Sequence, residues 1–578
     1  SNDSDYSFTH NSGTFVSKSD GVYFTGKDRD GEDKAPIWLC SSLRIIAFTS
    51  NEKNNGWGRV LEWEDLKNVT HTWAMPMALL ANDGGDVWRE LMNQGLLITN
   101  NQLLRVRLRD YIQMSKPARH ILCVNRIGWH GDTFVFQNHP DLNIVFQNSF
   151  GLESPFSQAG SLEEWTKNVS QLAQGNSRLV FGISSAFAGA LLDSTNQESG
   201  GVHLHGASST GKSTILKVAS SVWGGRDFIR QWRATINGLE GIAALHNDGL
   251  LILDEIDQCD NPSKLGEIIY MLFNQQGKTR ANSSGVALPV ATWRLVALSS
   301  GENSIVSIMN QAGKRSKAGQ EVRFADIPSD AGENMGAFEL LHDAATPNAF
   351  ATALNTSTTR YYGTAGSEFI EYLSNNRTVC TELALGYMKI FTDTHVPKVA
   401  QSQVLRVSRR FALIAAAGEL ATDAGITGWK TGEALAAAAR CFNDWLISFG
   451  GIGNHEEKII LAHVRSFIEA HGSSRFESVT ADRSRISNRV GYFKFDKDNR
   501  KSYLIFPEQF KNVVCKGFDF KVVEKVLLHH GWLQKSERND GVSKQRIPDH
   551  ANSVRMYALT NKMWLDDELS ESDTSSVF

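Results

Sequence analysis

Gly206-Ala207-Ser208-Ser209-Thr210-Gly211-Lys212-Ser213 decides the fold. It satisfies every fixed position of the phosphate-cradling pattern G-x-x-x-x-G-K-[ST]. The glycines let the backbone curl until its N–H groups face a phosphate chain. A helix expected over Ser213 to Val222 adds the positive end of its dipole at the same point. Lys212 is placed for the β- and γ-phosphates, and Ser213 offers a hydroxyl to Mg²⁺. The expected nucleotide-binding set is Gly206, Ser208, Ser209, Thr210, Gly211, Lys212, Ser213 and Thr214. The short apolar run Val202-His203-Leu204-His205 reads as the strand that leads into it.

Downstream, Leu250-Leu251-Ile252-Leu253 reads as a buried central strand that ends in Asp254 and Glu255. In open α/β sheets ligands bind at that end of the strands. Asp254 is expected to join Ser213 in holding Mg²⁺, and Glu255 to polarise the attacking water. A third strand, Arg294 to Leu298, exits through Ser299-Ser300-Gly301-Glu302, so Ser299 or Ser300 is the candidate for positioning that water. Gly319-Gln320-Glu321-Val322-Arg323-Phe324 sets one arginine between apolar residues. Arg323 is either a surface ion-pair partner or a guanidinium for transition-state charge in a neighbouring subunit.

Strand and helix patterns alternate from this motif to about residue 330, which predicts a parallel α/β sheet. The chain has 578 residues, 41% hydrophobic and 21% charged. At roughly 100–200 residues per domain that predicts three or four domains. The expected division is a flexible lead (1–20), a mainly β accessory domain (21–150), the nucleotide-binding core (161–330), a helical region (331–450), a C-terminal module (452–564) and an acidic tail (565–578). In the accessory domain, Trp38, Trp57, Trp63, Trp73, Trp88 and Trp129 serve either as core or as stacking surfaces for single-stranded bases. In the C-terminal module, an amphipathic helix over Phe520–Leu528 stops before Gly531, a basic stretch Lys535–Arg546 follows, and the strand Val554–Leu559 closes it. That series reads as winged-helix-like, for DNA or for protein contacts.

Net charge is −4, from 59 basic and 63 acidic residues, so bulk electrostatics does not advertise nucleic acid. Six dispersed cysteines without CxxC spacing predict free buried thiols rather than disulfides or zinc. No apolar run is long enough to span a bilayer, and no signal peptide is visible, so a cytoplasmic location without membrane attachment is expected. The first residue is Ser1, not Met, so a processed product or an expressed fragment is expected.

With these residues in hand, the chain resembles the AAA+ ATPases. More narrowly it resembles a helicase-like family of phages and integrative mobile elements, a former domain of unknown function related to MCM-type helicases. The matching stretches are Trp232 to Glu240, Leu251 to Glu255, Ser299 to Glu302, Gly319 to Arg323 and Ala416 to Ala421. The resemblance implies an AAA+ core, ATP and Mg²⁺ as cofactors, and a homo-oligomeric ring, usually a hexamer. It also implies an arginine finger in trans, matched by Arg323, and a sensor arginine on a later helix. Arg406, Arg409 and Arg410 lie near that place, with Arg409 preferred. The family's third-strand sensor is often Asn where this chain has serine. MCM-like proteins carry a pore hairpin before that strand. Here Gly277 to Val286 has turn chemistry at Asn282-Ser283-Ser284-Gly285, so Lys278 and Arg280 either touch DNA phosphates or sit on a solvated hairpin. The implied activity is that of an ATP-dependent DNA helicase acting on single-stranded or forked DNA in replication of a phage or mobile element, with a primase or other replication protein as partner. The alternative is an ATP-dependent remodeller, initiator or loader of protein–DNA complexes that does not unwind.

Overall fold

The computed structural model describes residues 6–564 except 11–12, 82, 137–142, 149–153, 279–289, 314–317, 450–454, 481–485, 496–499, 537–540 and 549. The chain divides into two compact units, Ser1–Lys398 with Val404–Ser448, and Val399–Gln403 with Phe449–Phe578.

The first unit opens with a four-stranded antiparallel meander, Tyr6–His10, Gly13–Lys18, Gly21–Gly26 and Ile37–Cys40. This corrects the expected flexible lead over residues 1–20 where the chain is described, at 6–10 and 13–20. The first twenty residues are polar and Ser-rich, yet Phe15 and Ser17 alternate inward and Phe15 is 1% exposed. It packs with Val22, Leu39, Leu61, Trp63, Trp73, Trp88, Leu108 and Tyr111. A second, five-stranded sheet runs in the order Ile144–Phe146, His120–Val124, Leu43–Ser50, Gly58–Glu64, Thr70–Pro76. Trp63, Trp73, Trp88 and Trp129 are core, whereas Trp57 is 46% exposed and lies against Phe48 and His120.

The nucleotide-motif sheet belongs to the same unit. Its five parallel strands run Arg230–Gln231, Gly249–Asp254, Leu295–Gly301, Gly200–His205, Phe324–Pro328. Both faces are covered, which is why Leu250–Leu253 is continuously apolar and fully buried. On one face Leu251, Leu253, Leu295 and Phe324 pack against the helices Ile236–Ala244, Leu265–Phe273 and Ile305–Gln311. The helices Ser177–Ala188 and Lys212–Ser220 also pack on the sheet and on each other. The accessory residues are tied in by polar contacts. Trp129 donates its backbone N–H to Asp248 at 3.0 Å and its indole N–H to the Ala190 carbonyl at 2.8 Å. Asp248, with no exposed side-chain surface, also accepts from Arg294 Nε at 2.9 Å.

From Pro347 the unit is helical: Pro347–Thr358, Thr364–Asn375, Arg377–His395, Ser402–Asp423 and Glu433–Ser448. Glu419, buried in the fourth of these, accepts the N–H groups of Gly432 and Leu435 at 2.8 and 2.9 Å. That satisfies otherwise orphaned donors at the start of the fifth helix.

The second unit holds the helix His455–His471 and a five-stranded sheet ordered Phe476–Ser478, Gly491–Phe495, Lys501–Ile505, Val554–Leu559, Val542–Gln545. The helix Phe520–His529 is capped by Asp519, which accepts from Lys521 N at 2.8 Å. Past its end Gly531 sits at φ 71°, so glycine closes the helix as the sequence indicates. Part of the basic stretch Lys535–Arg546 is strand, Val542–Gln545, paired antiparallel with Val554–Tyr557. The acidic tail lies outside the described residues. All six cysteines are buried and unpaired. Among the described residues no helix is long and apolar enough to cross a membrane.

Candidate nucleotide site

The P-loop leaves the carboxyl end of the Gly200–His205 strand and turns into the helix Lys212–Ser220. Gly211 at φ 94° takes a conformation that a side chain would strain, and it is the residue before the first helical turn. At Gly206 a Cβ would stand 2.4 Å from Ser329 Oγ, so a side chain there would displace that hydroxyl. Lys212 Nζ donates to the carbonyls of Gly206 and Ala207 at 2.6 and 2.7 Å. Burial lowers its pKa, opposed by the charges of Glu302, Asp257 and Asp254.

Asp254 closes the neighbouring-but-one strand. It accepts from the Ser300 hydroxyl and from the backbone N–H of Glu255, the latter at 3.0 Å. Glu255 stands at φ 57°, ψ 64°, a left-handed conformation that costs a non-glycine residue about 1 kcal/mol or more. Its carboxylate accepts from Gln258. Such strain persists where surrounding structure enforces it, and here it lies at the tip of the acidic strand.

A cavity of about 920 Å³ joins these parts. Ser208 to Thr214 form one wall, and Asp254, Glu255, Asp257, Ser300 and Glu302 another. The sequence-expected nucleotide residues are thus brought together, apart from Gly206, which shapes the loop from behind. The lining suits a magnesium nucleotide: Lys212 and the hydroxyls of the loop share one space with the carboxylates of Asp254, Glu255, Asp257 and Glu302. Sequence reasoning missed the third wall, Asp330 to Phe338 and Thr346 to Ala351, whose Met335, Phe338, Pro347 and Ala351 supply apolar surface. It also missed Arg178. That buried guanidinium donates to the carbonyls of Pro328 and Asp330 at 3.2 and 3.0 Å and pairs with Asp444 at 2.6 Å. It fixes the chain where the last strand exits toward the cavity. No local pattern marked it, because the two carbonyls and the carboxylate it holds lie 150, 152 and 266 residues along the chain.

The serine pair separates by strand alternation. Ser300 lines the cavity and bonds Asp254. Ser299 does not: it is fully buried, accepts from Trp232 Nε1 at 2.8 Å and meets His203 Nδ1 at 3.0 Å. The Ser299 candidacy is therefore corrected to a core role. His203 Nε2 donates to the Asn303 carbonyl at 3.0 Å, and burial pushes its pKa down to about 4, so the ring is neutral. Ser300→Ala is expected to lower kcat about tenfold, the worth of one charge-assisted hydrogen bond. Ser299→Ala is expected to leave kcat intact and to destabilise by about 1–3 kcal/mol through an unpaired indole N–H. Steady-state ATPase beside urea unfolding separates the two.

Next to His203 in register stands Asp326, whose carboxylate accepts from the Ile305 N–H at 3.1 and 3.2 Å. Burial raises it to about 7 against the N–H groups of Ile305 and Val306, which lower it. The folded pKa thus exceeds the unfolded value near 3.9. Its stabilising contribution is complete below about pH 4 and is lost as pH rises through about 7. Buried His203 and His246, both at about 4, act with the opposite sign in any variant and cancel in a difference. Relative to wild type, Asp326→Asn is expected to gain stability from pH 5 to pH 7.5, read from urea midpoints at the two pH values.

The arginines fall elsewhere. Arg410 is buried against Gly200 and donates to the carbonyls of Gly201 and Val322 at 3.2 and 3.1 Å. Arg406 pairs with Glu198. These partners mark the amino ends of the strands, the edge opposite the cavity. Arg409, exposed on the same helix, does not line the cavity either, which corrects its sensor candidacy within one chain. Arg323 also precedes its strand. It donates to the Gly319 carbonyl at 2.9 Å and lies 4.8 Å over the Tyr270 ring. Lys278 is exposed, with its N–H 3.3 Å from Glu240 Oε1. Gly277 N donates to Ala291 O at 2.9 Å and Gln276 bridges Thr292, while most of the expected hairpin Gly277–Val286, its turn included, lies outside the described residues. Arg280 lies outside the described residues.

Residues 15–291 match the model of a family described as a domain of unknown function, DUF927. No curated protein matches the chain. Among solved structures it is similar to one described as "SCCmec type IV Cch - active helicase", with 16% identity and a TM-score of 0.65, covering 97% of this chain and 99% of that one. A second, described as the apo NrS-1 C-terminal region, has 9% identity and a TM-score of 0.26 over 66% of this chain and 87% of that one. At 16% identity the first likeness is one of fold, and it extends over both units.

Proposed function

We propose that this chain is an ATP hydrolase of AAA+ type that works as a ring-forming DNA helicase in the replication of a mobile genetic element. One observation carries the reading: a single cavity places Lys212 and Ser213 opposite Asp254 and Glu255 at the carboxyl edge of a parallel sheet. Ser213 and Asp254 would hold Mg²⁺, which would neutralise phosphate charge as the β–γ bond breaks. Lys212 binds the phosphates, Glu255 orients and deprotonates the attacking water, and Ser300 holds the Asp254 carboxylate in place. The apolar third wall takes the nucleoside. The strand inserted between the P-loop strand and the acidic strand supports the AAA+ assignment, since it delivers Ser300 between the two motifs. The fold shared with a protein described as an active helicase supports the DNA-directed reading. The helix, hairpin and sheet of the second unit support a winged-helix-like module.

The test is ATPase activity with and without single-stranded DNA, alongside displacement of a strand from forked DNA and mass by light scattering. Stimulation, unwinding and a hexamer-sized particle are expected. Intact ATPase with no unwinding in either polarity overturns the helicase reading and leaves the remodeller or loader.

A further inference from the structure

We propose that Glu457, His529 and His530 form a binding site for a divalent transition metal of the zinc class, which clips two helices of the second unit together. Glu457 lies in the first turn of the helix His455–His471, His529 is the last residue of the helix Phe520–His529, and His530 caps it. Glu457 Oε2 stands 3.1 Å from His530 Nε2 and 3.8 Å from His529 Nδ1, and the three ligand atoms all lie within 4.8 Å of one another. Among the described residues this is the one group of three or more metal-capable side chains that converges so closely.

An ion pair would need one ring. Here two successive histidines, which a helix ordinarily points in different directions, turn toward the same carboxylate. Zinc bound by imidazole nitrogen and carboxylate oxygen at about 2.0–2.2 Å sets its ligand atoms roughly 3.4 Å apart in a tetrahedron. The two contacts bracket that spacing, and exposed His529 can adjust its ring without disturbing packing. Two imidazoles and one carboxylate favour Zn²⁺, Ni²⁺ or Cu²⁺ over Mg²⁺ and Ca²⁺, which take oxygen ligands. The site also adjoins the carboxyl end of a helix, where the dipole favours a cation. Bridging two helices, the ion binds the folded unit and not the unfolded chain, so it stabilises by linkage.

The test uses the full chain, free of affinity tags and pretreated with chelator. Zn²⁺ affinity is read in competition with a chromogenic chelator, and unfolding temperature with and without Zn²⁺. One equivalent of Zn²⁺ is expected to bind and to raise the unfolding temperature, with Mg²⁺ giving no such shift. His529→Ala and His530→Ala should each weaken binding at least tenfold and remove the shift. Exposed His529 can be replaced without a packing loss, so that variant stays informative if His530→Ala folds poorly. The buried cysteines do not compete. Unchanged affinity in His529→Ala overturns the site. So does binding without any thermal shift, which would mean an adventitious ion only.

Discussion

Replacing Glu255 by glutamine is expected to abolish ATP turnover, by about 10²–10⁴-fold, while Mg²⁺–ATP still binds. Glutamine keeps the size of the side chain and a hydrogen bond to Gln258, and it keeps the strained backbone at φ 57°. What it loses is the ability to accept a proton from water. Asp254, by contrast, is engaged by Ser300 and by the Glu255 N–H. That leaves it oriented for a metal and leaves Glu255, past the end of the strand, to reach the water. Single-turnover hydrolysis and binding of a fluorescent ATP analogue check the split. Unchanged hydrolysis in the variant removes Glu255 as the base; lost binding moves it to the nucleotide cradle.

The parts of this site that sequence made legible are those whose function is local. A phosphate cradle needs its glycines, lysine and hydroxyl within one turn of chain, so Gly206 to Ser213 carries its own signature. An apolar run ending in two acids announces a buried strand and its ligand end. Where the deciding contact comes from afar, the pattern is silent. Strand alternation says that Ser299 and Ser300 face opposite ways, but only the positions of Trp232 and His203 decide which faces the core. The same holds for the arginine-rich helix. Its composition placed three arginines within five residues, and only the packing of Arg410 on Gly200 and the Arg406–Glu198 pair show that this stretch lies at the far edge of the sheet. The apolar cavity wall at Met335, Phe338 and Pro347 has no motif at all, because a nucleoside asks only for a shaped, greasy surface. The opening strands were hidden by composition: their inward face is short, and Ser, Thr and Gly occupy much of the rest.

Replacing Arg323 by alanine is expected to lower ATPase activity about 10³-fold without weakening Mg²⁺–ATP binding. The position of the residue dictates how. Arg323 precedes the strand Phe324–Pro328, and the cavity lies beyond the other end of that strand. Five residues at about 3.3 Å each separate the two ends by roughly 16 Å, so the guanidinium cannot serve the cavity of its own chain. Held by the Gly319 carbonyl and the Tyr270 ring, it is presented at the sheet's opposite edge, where a neighbouring subunit in a ring would bring its nucleotide. Mixing two dead proteins tests this directly. A Lys212→Ala subunit has a broken cradle but an intact Arg323; an Arg323→Ala subunit has the reverse. In a mixed ring, the junction where the first presents its arginine to the cradle of the second has every part, so partial activity is expected to return. Mixtures as inactive as either variant alone, at concentrations where rings exchange subunits, would confine Arg323 to a role within its own chain.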